Sequence, residues 1–297
     1  MKFPKYYLKI FKDIYNHLYE GFYDDKIHCF LCGSNNMQFR NSLKRKLENK
    51  DIKVIYAENL FEAIVNNKSE ENHLDLEDIL ASNVELILII LEGPGALVEL
   101  GMFSNDRDHV KKLIVLMDEK YKKAESFINY GPIKKIKMQD EISRVFYYYK
   151  KEDGTNNINT YQDREISKSF KLYKSKQLGT REKHALDIVT MYYFLQIAFF
   201  ILNPIDINEL SILLKYLCRE EKIDITDNQI EINMTSAIYW LRKENYITKI
   251  DDEVYKLTKE GLLDIQSELY KIFGTKLIDS YRVQALNYQL RIKDKIS

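Results

Sequence analysis

The stretch Glu92-Gly93-Pro94-Gly95-Ala96-Leu97-Val98-Glu99 sets two carboxylates around a glycine-rich turn. It follows Val84–Leu91, an almost uninterrupted apolar run that reads as a strand covered on both faces. A helix is expected over 96–104, which puts Glu99 on its first turn, four residues past Gly95. A carboxylate there can be aimed at a ligand and held ionised by the helix dipole. Free backbone N–H groups at the helix start would attract a phosphate or a developing anion. Gly93 and Gly95 let the backbone come close to such a ligand. A similar turn, Cys32-Gly33-Ser34, ends the short apolar run His28–Cys32. A Glu in a first helical turn usually only offsets the dipole, so spacing alone leaves its role open.

Other chemistry finds less support. Cys29 and Cys32 form a C-x-x-C but lack a second ligand pair and a helix start at the first Cys, so both read as small buried residues. Histidines 17, 28, 73, 109 and 184 are scattered without metal-ligand spacing, and no metal site is expected. Three cysteines make no disulfide framework, which favours a reducing cytoplasm.

The elements that must carry the two turns alternate. A helical stripe runs over residues 3–20, a strand over His28–Cys32, a helix over Phe39–Glu48 and a strand over Ile52–Tyr56. Helices follow over Asn59–Val65 and Leu74–Asn83, then the Val84–Leu91 strand, and further strands over Lys112–Met117 and Ile142–Tyr148. Such alternation implies a parallel sheet flanked by helices, with ligands outside the carboxyl ends of the strands. After residue 150 the pattern changes. Lys151–Thr160 reads as a loop, and Arg164–Lys183 carries seven basic residues against Glu165 and Glu182. Helices are expected over 186–202, 206–220 and 229–244, then a hairpin of Tyr246–Lys249 and Val254–Leu257, then one long helix from Thr258. Three helices and a hairpin are the winged-helix arrangement. The expected division is 1–22 N-terminal amphipathic helix, 23–150 catalytic α/β domain, 151–185 basic linker and 186–297 winged-helix-like domain.

The 297 residues suffice for two domains. Hydrophobic residues at 45% and charged residues at 30% suit a globular chain and exclude a disordered one. Val84–Leu91 and Tyr192–Leu202 are too short or interrupted to span a bilayer, and no signal peptide is expected. Lys+Arg and Asp+Glu balance at 45 each, so any nucleic-acid contact must be a local patch. The basic run supplies one: Arg164, Lys168, Lys171, Lys174 and Lys176 could meet phosphates while Phe170 and Tyr173 stack on bases. The expected third helix of the tail is basic only near its end, at Arg242 and Lys243, so docking to protein or structured nucleic acid is expected over operator reading. Tyr239 and Trp240 are expected in its core.

Gly93–Gly101 resembles the nucleophile motif of the nucleoside deoxyribosyltransferase family, and Phe30–Gly33 is similar to that family's first strand and turn. Leu76-Glu77-Asp78-Ile79 followed by Asn83-Val84-Glu85 resembles its base-contacting acid and the lead into the central strand. The match is closer to one branch, the effector proteins of bacterial retrons. Their FLCG, LE-x-IL, PG-x-x-x-ELG-x-FSN and SFINYGP blocks stand here, in order, at Phe30–Gly33, Leu76–Leu80, Pro94–Asn105 and Ser126–Pro132.

The resemblance implies a flavodoxin-like parallel sheet in which Glu99 is the nucleophile at C1′ of a ribose or deoxyribose and Glu77 contacts or protonates the leaving base. Cys32, Gly33, Ser34, Glu92, Gly93, Pro94 and Gly95 would line the substrate site, with no cofactor. Asn129 and Tyr130 would join them or cross into a neighbouring subunit; the alternative for that block is a plain turn ended by Gly131-Pro132. The retron branch is associated with destruction of NAD during phage infection, which makes NAD the expected substrate. The implied partners are a reverse transcriptase and its RNA-linked single-stranded DNA, in a homo-oligomer or higher assembly without membrane contact. In one respect the chain departs from the transferases. Where they carry an Asp six residues before the nucleophile, it has Gly93, with Glu92 one place earlier. Two other readings stay open: a transferase or hydrolase acting on DNA precursors, and a non-enzymatic winged-helix regulator.

Overall fold

A computed structural model describes residues 3–19, 21–22, 27–50, 52–58, 73–139, 142–177 and 186–296. In chain order the main elements are α1 (Lys5–Asp13), β1 (Ile27–Gly33), α2 (Met37–Glu48), β2 (Ile52–Ile55), α3 (His73–Ser82), β3 (Leu86–Leu91), α4 (Pro94–Asn105), β4 (Leu113–Asp118), β5 (Val145–Lys150), β6 (Asn156–Asn157) and α5 (Thr160–Gln177). There follow α6 (Ile188–Leu202), β7 (Ile205–Asp206), α7 (Ile207–Glu221), α8 (Asp227–Lys243), β8 (Ile247–Lys249), β9 (Val254–Leu257), α9 (Lys259–Phe273) and α10 (Thr275–Ile296). The helix expected over Asn59–Val65 lies outside the described residues. Two compact units result, one holding the described residues of 27–58 and 73–177, the other those of 3–22 and 186–296.

The first unit is a six-stranded sheet in the order β2-β1-β3-β4-β5-β6, parallel except for the β5–β6 pair. Register places Cys32 beside Ile89 and Gly33 beside Ile90, so β1 and β3 end together. β3 is Leu-Ile throughout and five of its six residues are buried, as expected for a strand with helices on both faces. Alternate residues Cys29, Leu31, Leu86, Leu88, Ile90, Ile114, Leu116, Phe146 and Tyr148 make one core with two helices. α2 contributes Phe39, Leu43 and Leu47, and α5 contributes Ile166, Phe170 and Tyr173. Burying each large apolar side chain contributes about 1.5–3 kcal/mol.

This packing corrects the basic-linker expectation. Residues 160–177 form a helix laid against the sheet, so Phe170 and Tyr173 are core and cannot stack on bases. Ile166, Phe170 and Tyr173 recur at helical spacing, which turns Arg164, Lys168 and Lys171 to solvent. Lys174 and Lys176 lie on the same helix. The loop expected over 151–160 contains β6, whose two asparagines pair with Tyr149 and Lys150.

In the second unit α6 is apolar all round, and all fifteen of its residues are buried. Asp187 caps it by accepting from the N–H groups of Val189 (2.8 Å) and Thr190 (3.0 Å). The stripe over residues 3–20 is α1 followed by a π-helical stretch, Ile14–Tyr19. It belongs to this unit, where Phe11, Tyr15 and Tyr19 meet Phe194 edge-on at 5.4, 5.9 and 5.7 Å. Lys12 and Asn16 both reach Glu221, at 2.9 and 3.2 Å. β7, β9 and β8 form a small antiparallel sheet. Trp240 is buried and stacks on Tyr192 at 4.0 Å, as expected of a core residue, while Tyr239 is half-buried. The long helix expected from Thr258 is two helices, divided at Gly274, whose φ of 80° a side chain would strain. No helix among the described residues is long and apolar enough to cross a membrane.

Candidate functional site

Both glycine turns lie where β1 and β3 end. Gly33 (φ 71°) and Ser34 (φ 53°) turn the chain from β1 into α2, with Asn36 capping the helix through Phe39 N–H at 3.1 Å. A Cβ on Gly33 would sit 2.2 Å from the Ile90 carbonyl oxygen, so glycine is required there by the neighbouring strand as well as by φ. Gly93 (φ 129°) caps α4, and Pro94 occupies its first turn. Around Gly93 and Gly95 a Cβ would meet nothing within 4 Å, which leaves the turn open.

Because α4 begins at Pro94, Glu99 is its sixth residue and stands on the second turn. The helix dipole fades beyond the first turn, and the expected preference for ionisation is reversed. Burial pushes the Glu99 carboxyl up, and the Cys32 thiol, the Arg40 charge and the Gly33 N–H only partly offset it. One of its carboxyl oxygens is buried with no hydrogen-bond partner. Glu77 from α3 stands beside it. Burial, then the charges of Glu99 and Glu58, raise its pKa to about 7. Cys32, fully inside β1, has its thiol pushed up by burial first and by Glu99 and Glu77 next. The arrangement is two half-buried carboxyls, both shifted upward by burial, so that Glu77 keeps its proton to higher pH than an ordinary carboxyl.

Several members of the cluster had no signal in the spacing. Arg40 is buried on α2, pairs its two terminal guanidinium nitrogens with Glu58 at 2.5 and 3.0 Å, and lies 4.5 Å over the Tyr56 ring. It also donates to the Leu31 carbonyl at 3.3 Å, fixing its charge behind the end of β1. In the sequence it is one basic residue of an amphipathic helix. Asn156 and Lys150 come from the β5–β6 hairpin and meet Glu92 at 3.2 and 3.3 Å. Ser34 donates to the same carboxylate. Burial would raise the Glu92 pKa, but these partners outweigh it and hold the carboxyl below its usual range. Glu92 thus clamps the two turns together.

The Ser126–Pro132 block is more than a plain turn. Asn129–Ile133 is π-helical. The Asn129 amide donates to the carbonyls of Tyr121 (2.9 Å) and Ala124 (2.7 Å), which commits it to its own loop. Tyr130 is 64% exposed. Of the expected substrate-site residues, Cys32, Gly33, Ser34, Glu77, Glu92, Gly93, Pro94 and Gly95 gather with Glu99 at the strand ends, and Asn129 and Tyr130 stand on the π-helical segment Asn129–Ile133.

An α/β unit with a coupled carboxyl pair at its strand ends, in one chain with a helical unit bearing a small sheet, defines the general class of protein. Residues 36–249 match the family described as STM3845 retron effector protein, and the chain belongs to that family. It is 28% identical over 291 residues to a retron Ec86 protein of Escherichia coli named as a candidate ribosyltransferase/DNA-binding protein, covering 92% of this chain and 90% of the relative. A retron Ec73 protein of the same species, named in the same way, is 27% identical over 283 residues, covering 83% and 84%.

Proposed function

We propose that the chain is the toxic effector of a retron anti-phage defence system and cleaves the N-glycosidic bond of NAD, releasing nicotinamide. The observation that carries this reading is the half-buried Glu99 carboxyl with an unpartnered oxygen, beside Glu77 and above an open glycine turn. The ionised Glu99 forms a bond from oxygen to C1′ as the C1′–N bond breaks. The bonding pair returns to the ring nitrogen and neutralises its positive charge, so nicotinamide leaves without a proton. Water then attacks C1′, the ester oxygen returns to Glu99, and a proton is released to solvent. Carboxylate charge next to an oxocarbenium-like carbon is worth more at a partly desolvated site than in water. The strand order 2-1-3-4-5 supports a flavodoxin-like sheet with its ligand at the β1/β3 switch point.

α6, α7 and α8 followed by the β8–β9 hairpin support a winged-helix reading of the tail. Exposed Arg164, Lys168 and Lys171, with Lys174 and Lys176 on the same helix, suit contact with the phosphates of the reverse transcriptase's RNA-linked DNA. The names of the relatives support both glycosyl transfer and nucleic-acid contact.

A second reading, cleavage or transfer on nucleosides or nucleotides of the DNA-precursor pool, is favoured by Glu77. A carboxyl with pKa about 7 can protonate a neutral leaving base, which nicotinamide does not need. The full chain, alone and with its retron partners, is assayed on NAD and on deoxynucleosides. Nicotinamide release lost in Glu99→Gln supports the first reading. Base release from deoxynucleosides with NAD untouched supports the second.

A further inference from the structure

A second feature of the sheet unit has ligand dimensions. A cavity of about 340 Å³ opens between the start of α2 and the β5–β6 hairpin, within the size range of small-molecule sites. Buried Phe39, Leu43 and Ile158 contribute its apolar part. Asn36 and Asn156 add amides, Lys46 and Lys151 add positive charge, and Asn157 lines the cavity with an amide already engaged by the Tyr149 hydroxyl (3.0 Å) and the Ile158 N–H (2.9 Å). Asp153 also lines it, but its carboxylate accepts from the Thr155 N–H (2.8 Å) and hydroxyl (2.6 Å). Lys46 is shared with Asp163 at 3.2 Å. The lining therefore suits a ligand that brings negative charge, hydrogen-bonding edges and a flat apolar body.

Asn156 couples this cavity to the turns. Its amide nitrogen donates to Glu92, while its carbonyl oxygen is buried with no hydrogen-bond partner. A buried acceptor of this kind calls for a donor, such as a hydroxyl or an amine. Asn36 lies three residues after Gly33, whose N–H serves Glu99, and three residues reach at most about 11 Å. One extended ligand can therefore have its reacting carbon at Glu99 and a second half in the cavity.

We infer that the cavity holds the distal, non-reacting nucleotide of a dinucleotide substrate, with Lys151 beside its phosphate and the asparagine amides at its ribose and base edges. The identity of the substrate rests on the NAD reading above. Binding of this remote half supplies energy that a mononucleotide lacks. Full-length Glu99→Gln protein is titrated calorimetrically with adenosine monophosphate, then again with NAD present. Saturable binding, weakened at least tenfold by Lys151→Glu and by the cavity-filling Asn157→Phe and displaced by NAD, is expected. Circular dichroism shows whether each variant is folded, and Lys151 is exposed, so its substitution leaves the core untouched. No binding, or binding indifferent to both variants, overturns the inference. Binding that NAD does not displace marks a separate effector site and overturns it too. In the active protein the same variants raise KM for NAD relative to that for nicotinamide mononucleotide about tenfold. If the protein cleaves neither compound, the NAD reading fails while the adenosine monophosphate titration still decides whether the cavity binds a nucleotide.

Discussion

Glu92 and Glu99 stand seven residues apart and end up with opposite electrostatics. Glu92, at the end of β3, is met by Ser34, Asn156 and Lys150, and its pKa is lowered. Glu99, on the second turn of α4, has a buried oxygen without a partner, and its pKa is raised. One carboxylate is satisfied by the protein and holds two turns together. The other is left with acceptor capacity that a ligand can use. The contrast teaches that neighbouring carboxyls can be sorted by what the fold supplies to each, and that a buried acceptor left without a partner is where a ligand is to be sought.

Substitutions at the two positions should therefore part company. The largest effect is expected on activity at Glu99. Glu99→Gln should cut turnover by on the order of a thousandfold or more, as loss of a nucleophile does, while thermal unfolding shows stability equal to or above that of the parent. A variant that unfolds earlier without losing turnover would turn Glu99 into a structural residue. Next is Gly33→Ala, which forces a side chain to φ 71° and into the Ile90 carbonyl oxygen. It should cost about 3–5 kcal/mol in denaturant unfolding, and both turns should lose their geometry together.

Glu92→Gln should cost about 1–2 kcal/mol of stability, since it removes a charge from three partners at a partly exposed site. Its pH dependence has a definite sign. A carboxyl whose folded pKa is lowered stabilises the fold above its unfolded value of 4.5 and loses that contribution as pH falls through the folded value. Glu77 runs the other way. Its pKa rises from 4.5 to about 7, so its contribution is present below 4.5 and is lost as pH climbs to about 7. Urea melts of Glu92→Gln and Glu77→Gln across pH 3–8 read both signs. The smallest effect expected is that of Glu77→Gln on NAD turnover, within about tenfold, because a cationic leaving group needs no acid. On a neutral-base nucleoside the same variant should lose far more, together with the fall in rate above pH 7.

Much of this contrast was legible in the chain, and its decisive part was not. The apolar runs of β1 and β3, the two glycine turns and the position of Glu99 follow from local composition and periodicity. The core role of Phe170 and Tyr173 was legible too, because with Ile166 they repeat at helical spacing, although aromatics among lysines also fit a nucleic-acid contact. The ionisation of Glu99 is not legible from spacing, because it depends on where α4 starts. Pro94 is a favourable first residue and moves the start two residues ahead of the expected one. Arg40, Asn156 and Lys150 escaped altogether. Arg40 takes its partners Glu58 and Tyr56 from the segment after β2, and Asn156 sits in a two-residue strand too short and polar to leave a pattern.

The most direct test of the account is nicotinamide release from NAD by the full chain, alone and with its retron partners, comparing the parent with Glu99→Gln at matched folded concentration. The account predicts release by the parent in at least one of the two settings, and none above background in the variant. Equal release by both proteins, or none from the parent in either setting, would contradict it.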